Sequence, residues 1–122
     1  MTKGRILIID DDNRNIFALS AVLKARKYEC LSATSGEDGL HLLKQNADIA
    51  VVLMDMMMPG MDGYQAMAKM REDETLSGIP VIAVTAQAMV GDRERCLEAG
   101  AVGYVSKPIN VDTLTGLLTK YI

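Results

Sequence analysis

Val51-Val52-Leu53-Met54-Asp55-Met56-Met57-Met58-Pro59-Gly60-Met61-Asp62-Gly63 decides how this chain folds. An apolar run ends in one carboxylate, and a Pro and two Gly follow within eight residues. A run this dense in Val and Leu reads as a strand buried on both faces. Pro59, Gly60 and Gly63 read as a loop. Asp55 therefore lies where a buried strand stops. In open parallel sheets, ligands bind beyond the carboxyl ends of the strands. What else reaches that edge decides what the site can do.

Working outward, Arg5 to Ile9 is a second apolar strand, closed by Asp10-Asp11-Asp12. Further strands are expected at Tyr28 to Ala33, Ala50 to Met54, Val81 to Val84 and Val102 to Val105. The fourth ends at Thr85-Ala86 and the fifth at Lys107-Pro108. Helices fill the gaps. Ala18, Leu19, Val22 and Leu23 keep helical spacing from about Asn13 to Lys27 and should face the sheet. Ser35 to Gln45 presents Leu40 and Leu43. Asp62-Gly63-Tyr64-Gln65 opens a helix with a capping box, followed by Met67 and Met70 on its apolar side. Val90 to Ala99 is a helix stopped by Gly100. Asn110 caps a last helix that carries Val111, Leu114, Leu117 and Leu118. Five strands alternating with five helices call for one α/β domain over residues 1–122: a doubly wound, parallel (βα)5 sheet covered on both faces.

Composition narrows the function. The chain has 122 residues, one domain's worth, with a net charge of −3 and no basic stripe, so direct nucleic-acid binding is not expected. Its apolar runs are too short for membrane insertion. Met1 to Arg5 leads straight into a strand, so no signal peptide is expected. Cys30 and Cys96 lack metal-ligand spacing and read as half-buried thiols in a reducing cytoplasm. His41, the only histidine, belongs on a helix surface.

The polar residues expected at the strand ends are Asp10, Asp11, Asp55, Thr85 and Lys107. Three carboxylates held together repel, and bind a proton or a cation. Their hard oxygens suit Mg²⁺, with Mn²⁺ as the alternative. Mg²⁺ takes one or two carboxylates, keeps waters and meets phosphate oxygens. Neither Gly-rich phosphate-loop pattern is present. That leaves a carboxylate that itself accepts a phosphoryl group with a metal's help.

These motifs resemble the receiver domain of bacterial response regulators. The matching stretches are Ile6-Leu7-Ile8-Ile9-Asp10-Asp11-Asp12, Asp55 to Gly63, Val81 to Ala86, and Gly100 to Pro108, in family order and spacing. The resemblance implies a flavodoxin-like sheet of order 2-1-3-4-5. It implies Asp55 as phosphoacceptor, and Asp11, Asp55 and the Met57 backbone carbonyl as Mg²⁺ ligands, with Asp10 acting through water. Lys107, Thr85 and Ala86 would contact the phosphoryl group, with Lys107 paired to Asp55 before phosphorylation. Thr85 and Tyr104 would form the switch, and Lys107-Pro108 would be cis. The implied donor is a sensor histidine kinase or histidine phosphotransfer protein. The implied readout is the surface at Val90–Ala99, Val102–Val105 and Val111–Lys120, which would engage an effector or output domain or a phosphorylation-dependent dimer. Met57 and Gln87 stand where the family tunes phosphate lifetime. Asp12 reads as a helix cap, not a ligand. Of Ile16 and Phe17, one can join the core and the other a donor-docking patch. Met54 reads as core, with Met56, Met57, Met58 and Met61 on the rim of the site.

The domain would assist only its own phosphorylation and dephosphorylation, and would not be an enzyme. Two rivals fit less well. A phosphohydrolase with an Asp nucleophile usually carries a second Asp two residues on, where Met57 stands. A degenerate receiver used only for binding would lack the acid pair or the lysine, and all four residues are present. No output segment is read after Ile122, which suits a stand-alone regulator or a receiver within a hybrid kinase or longer regulator.

Overall fold

The computed structural model describes residues 4–86 and 91–122. Strands β1 (Arg5–Ile9), β2 (Cys30–Ala33), β3 (Ile49–Asp55), β4 (Val81–Thr85) and β5 (Gly103–Ser106) alternate with five helices. These are α1 (Asn13–Ala25), α2 (Gly36–Gln45), α3 (Gly63–Glu72), α4 (Asp92–Glu98) and α5 (Val111–Leu118). All strand pairs are parallel, in the order β2-β1-β3-β4-β5.

Alternation along each strand splits the core into two layers. Ile6, Ile8, Val51, Leu53, Ile82 and Val84 pack with Leu23 of α1 and with Leu114 and Leu118 of α5. Leu7, Ile9, Val52, Met54, Val81 and Ala83 pack with Leu43 of α2, Met67 and Met70 of α3, and Cys96 of α4. The apolar runs lack a polar face because both sides of the sheet are covered.

Four helices begin on a side-chain cap. Asp12 accepts from Arg14 N, Ser35 from Asp38 N, and Asn110 from Thr113 N, while Asp62 and Gln65 form a reciprocal capping box. The short helix α4 begins instead at Gly91, at φ 91°, and no side chain caps it.

Several boundaries and inward positions differ from the sequence expectations. The helix α1 stops at Ala25, not Lys27, because Lys27 adopts the left-handed conformation at φ 71°. Its buried residues are Ile16 and Leu23; Leu19 and Val22 are half-buried and Ala18 is exposed along a cleft. On α2, Gly36 and Gly39 take inward places beside Leu43, and Gly39 leaves no room for a Cβ against Ile9, so Leu40 is pushed to the edge. Leu114 and Leu118 fill the core beneath α5, while Val111 and Leu117 are only partly covered. Strand β2 starts at Cys30, not Tyr28, and β5 is shifted to Gly103–Ser106. Met56 and Met58 are buried in the core, not on the rim, because the loop after β3 folds back onto the α3 side of the sheet. Cys96 is fully buried and Cys30 half-buried, and both are free thiols. Val90 and Gln87 lie outside the described residues.

The capping box at Asp62 holds the start of α3 by two hydrogen bonds. Asp62→Ala should lower stability by about 1 kcal/mol. Urea unfolding should show this as a lower midpoint with an unchanged slope.

Candidate functional site

The carboxyl edge of the sheet gathers residues far apart in sequence. Asp10 and Asp11 follow β1, Asp55 ends β3, Thr85 ends β4, and Lys107 follows β5. One oxygen from each of Asp10, Asp11 and Asp55 lies within 4.8 Å of the others. Asp10 and Asp55 are each 5% exposed, whereas Asp11 is open to solvent.

Each buried acid is held by two donors. Asp10 Oδ1 accepts from Asp12 N at 2.9 Å, and Asp55 Oδ1 accepts from Met57 N at 3.0 Å. The Lys107 ammonium reaches the other oxygen of both, at 3.0 Å from Asp10 Oδ2 and 3.5 Å from Asp55 Oδ2. Lys107 thus straddles the pair: it makes the Asp55 pairing that the family resemblance implied and lies nearer still to Asp10. Burial pushes the Asp55 carboxyl up; the Met57 N–H opposes, the Asp10 charge adds, and Lys107 opposes, with a net rise. Burial alone would lower Lys107, but the Asp10 hydrogen bond and the Asp55 charge outweigh it, so its ammonium form is favoured.

Local backbone fixes Asp55. Gly60, at φ 73°, turns the loop, and Gly63 brings the start of α3 against the strand end. Gly63 N donates to Met56 O at 3.4 Å. A Cβ on Gly63 would stand 2.8 Å from Met56 Cα and 2.9 Å from the carbonyl oxygen of Asp55, so only glycine fits. The sequence marks Gly63 as a loop residue but gives no sign of this contact.

The acids open into a cleft of about 250 Å³. Asp10, Asp55 and Lys107 line its polar end, and Leu19, Val22 and Ile109 its apolar end between α1 and α5. Thr85 and Tyr104 belong to the other side of the sheet. Thr85 continues the Val81–Ala83 face, and Tyr104 pairs in register with Ala83. They are therefore diagonal neighbours on the face toward α4. Ala86 is exposed after β4, and Met57 is 54% exposed at the mouth of the site. The Lys107–Pro108 bond is cis. Asp12 accepts from Arg14 N as the cap of α1. Phe17 is 78% exposed, while its neighbour Ile16 is buried. Sequence reading passed over Asn15, which lines the cleft, and Cys96, whose partner Tyr64 is 32 residues away.

An open parallel sheet of order 2-1-3-4-5, with a trio of acids and one lysine at its carboxyl edge, defines a flavodoxin-like α/β domain with a polar site at that edge. The chain belongs to the response regulator receiver domain family, whose model matches residues 6–119. It is 39% identical to Protein PilH of Pseudomonas aeruginosa over 91% of each chain. It is 35% identical to the polar-differentiation response regulator DivK of Brucella ovis, over 100% of this chain and 98% of that one. It is also 39% identical to part of the sensor histidine kinase RcsC of Salmonella typhimurium, where it spans only 12% of that protein's length. Among solved structures, it superposes with TM-score 0.87 on the receiver domain of a sensor histidine kinase from P. aeruginosa, at 31% identity over 98% of both chains. That structure has a magnesium ion coordinated in its active-site cleft. Chemotaxis protein CheY4 of Vibrio cholerae shares the fold at TM-score 0.89, with 23% identity over 99% of this chain and all of that one. No described helix is long and apolar enough to cross a membrane.

Because burial and Asp10 raise the Asp55 carboxyl, its ionised form destabilises the fold at neutral pH. Asp55→Asn removes that charge and should raise stability at neutral pH. The gain should shrink as pH falls from the raised Asp55 value toward the ordinary carboxylate value, and be absent below it, where Asp55 is protonated folded and unfolded alike. Melting curves at neutral and acid pH, without divalent ions, check both the sign and the trend.

Proposed function

We propose that this chain is a phosphoacceptor: a phosphohistidine donor transfers its phosphoryl group to Asp55, and the product alters the surface of α4, β5 and α5. The supporting observation is the constellation at the sheet edge, with Asp10 and Asp11 within 4.8 Å of Asp55 and Lys107 between the two buried acids. The whole of residues 1–122 forms the receiver, acting in the cytoplasm.

One Asp55 oxygen attacks phosphorus as the phosphorus–nitrogen bond to the donor breaks. Its electron pair returns to the ring nitrogen, and a protonated donor ring leaves as neutral imidazole. The products are an aspartyl phosphate and the free histidine. The three acids offer clustered hard oxygens that suit Mg²⁺, with Mn²⁺ sharing that preference. Asp11, Asp55 and the Met57 carbonyl would hold the ion, and Asp10 would act through water. When bound, Mg²⁺ supplies positive charge against the phosphoryl oxygens. Lys107 takes another phosphoryl oxygen, trading its carboxylate partners for the new group. Thr85 turns its hydroxyl to the phosphoryl group, and Ala86 beside it completes that wall. Tyr104, diagonal to Thr85 on the same sheet face, follows the movement. The domain is not an enzyme acting on other molecules; it assists only its own phosphorylation and dephosphorylation.

A sensor histidine kinase or a histidine phosphotransfer protein is the donor, and exposed Phe17 beside the cleft is part of its docking patch. An effector or output domain reads the altered surface, or a second receiver does so as a phosphorylation-dependent dimer.

Asp55→Asn should abolish labelling by acetyl phosphate, and a chelator should stop it in the unaltered protein. Labelling of the variant at the usual rate, or in the chelator, would overturn the assignment. Phe17→Ala should slow transfer from the protein donor by about tenfold, leaving acetyl phosphate labelling and stability unchanged. Stopped-flow transfer and urea unfolding on the same preparations separate docking from folding.

A further inference from the structure

Among the described helices, α4 is the shortest and the one whose start has no side-chain cap. It has seven residues and starts at Gly91 without a side-chain cap, whereas the other four helices each begin on one. A helix this short does not hold itself together in water; its order comes from tertiary contacts. Its contacts to α3 can be named. The Tyr64 hydroxyl lies 3.5 Å from the Cys96 sulfur, and the Arg95 guanidinium stands 5.1 Å from the centre of the Tyr64 ring. Arg71 donates to Ala99 O at 3.1 Å, satisfying a carbonyl at the carboxyl end of α4. Cys96 is 1% exposed, so its contact with Tyr64 is shielded from water. Burial, then Cys96, push the Tyr64 phenol up to about 12, so it remains a neutral hydroxyl.

Tyr64 is also tied to the acid site. It follows Gly63, whose backbone is pressed against the carbonyl of Asp55 and hydrogen-bonded to Met56. A shift of the Asp55 loop therefore reaches the Tyr64 backbone across one residue. Tyr104 of β5 packs against the same core layer as Tyr64 and Cys96.

We infer that Tyr64 is a positioning residue that latches α4 to α3 in the unphosphorylated conformation, and so sets the balance of the switch. It provides a route from Asp55 to α4 through the start of α3, separate from that through Thr85 and Tyr104. Releasing the latch favours the rearranged state, so binding of any species that selects that state becomes tighter. The inference rests on the proposed phosphoacceptor role for its consequence at Asp55, but not for the latch itself.

The test uses the whole chain as Tyr64→Phe, which keeps the ring under Arg95 and removes the hydroxyl, and as Arg95→Gln, which does the reverse. Amide hydrogen exchange is followed across all helices, and beryllofluoride is titrated with Mg²⁺ present. In each variant, exchange over Asp92–Glu98 should speed up by about threefold, the size of one modest hydrogen bond, with α1, α2 and α5 unchanged. The beryllofluoride midpoint should fall by a similar factor, whereas a merely loosened fold would raise it. Unchanged exchange and midpoint in both variants would overturn the latch, as would acceleration spread equally over every helix. If the unaltered protein binds no beryllofluoride, the phosphoacceptor reading fails instead, and exchange at α4 alone decides the latch.

Discussion

The burial of two carboxylates, Asp10 and Asp55, side by side at the carboxyl edge of the sheet is the constraint to which the rest of the molecule answers. Burial of like charges is unfavourable unless donors meet them. The fold supplies those donors from three places: a backbone N–H two residues on from each buried acid, and one ammonium from the far end of the chain. Lys107 does not offset the burial of Asp55: with burial the largest cause, that carboxyl remains raised despite the ammonium beside it.

That arrangement explains the centre of the sheet. Strand β3 lies between β1 and β4 and is buried along almost its whole length. A charged residue can be held rigidly at its end only because the strand beneath it is pinned by apolar packing on both faces. Gly63 completes the restraint by bringing the backbone of α3 to within contact of the Asp55 carbonyl, which no side-chain-bearing residue could do. The acids and Lys107 open toward α1 and α5, while Thr85 and Tyr104 lie on the face toward α4. The end of β4 thus separates the acid site from the face toward α4.

Much of this was legible from residue order. The apolar runs, the turn residues and the polar residue closing each strand gave the sheet, its alternation with helices and the membership of the acid cluster. Legibility failed where packing decides. On α1 the expected Leu23 and Leu19 do meet the core, together with Ile16, but Ala18 is exposed; amphipathic spacing fixes a face only to within about one position. Met56 and Met58 looked like rim residues because they follow a charge, yet the loop folds them into the core. Gly63 read as a loop residue and Gly39 carried no signal, whereas the role of both is the absence of a side chain where Asp55 and Ile9 approach. The pairing of Tyr64 with Cys96 has no signature in either local sequence.

The uneven anchoring of the helices follows from the same division of labour. The helices α1, α2, α3 and α5 have side-chain caps and, in α1 and α5, leucines buried to 0% exposure. Segments that open at small cost come from the low-stability end of a fold. The uncapped start of α4, its seven residues and its reliance on Tyr64 and Arg71 of α3 are features of that end. A side-chain cap cannot be added there cheaply, because Gly91 is left-handed and a residue with a Cβ would be strained at that φ. The glycine there, at φ 91°, suits an element held by its partners instead of by itself.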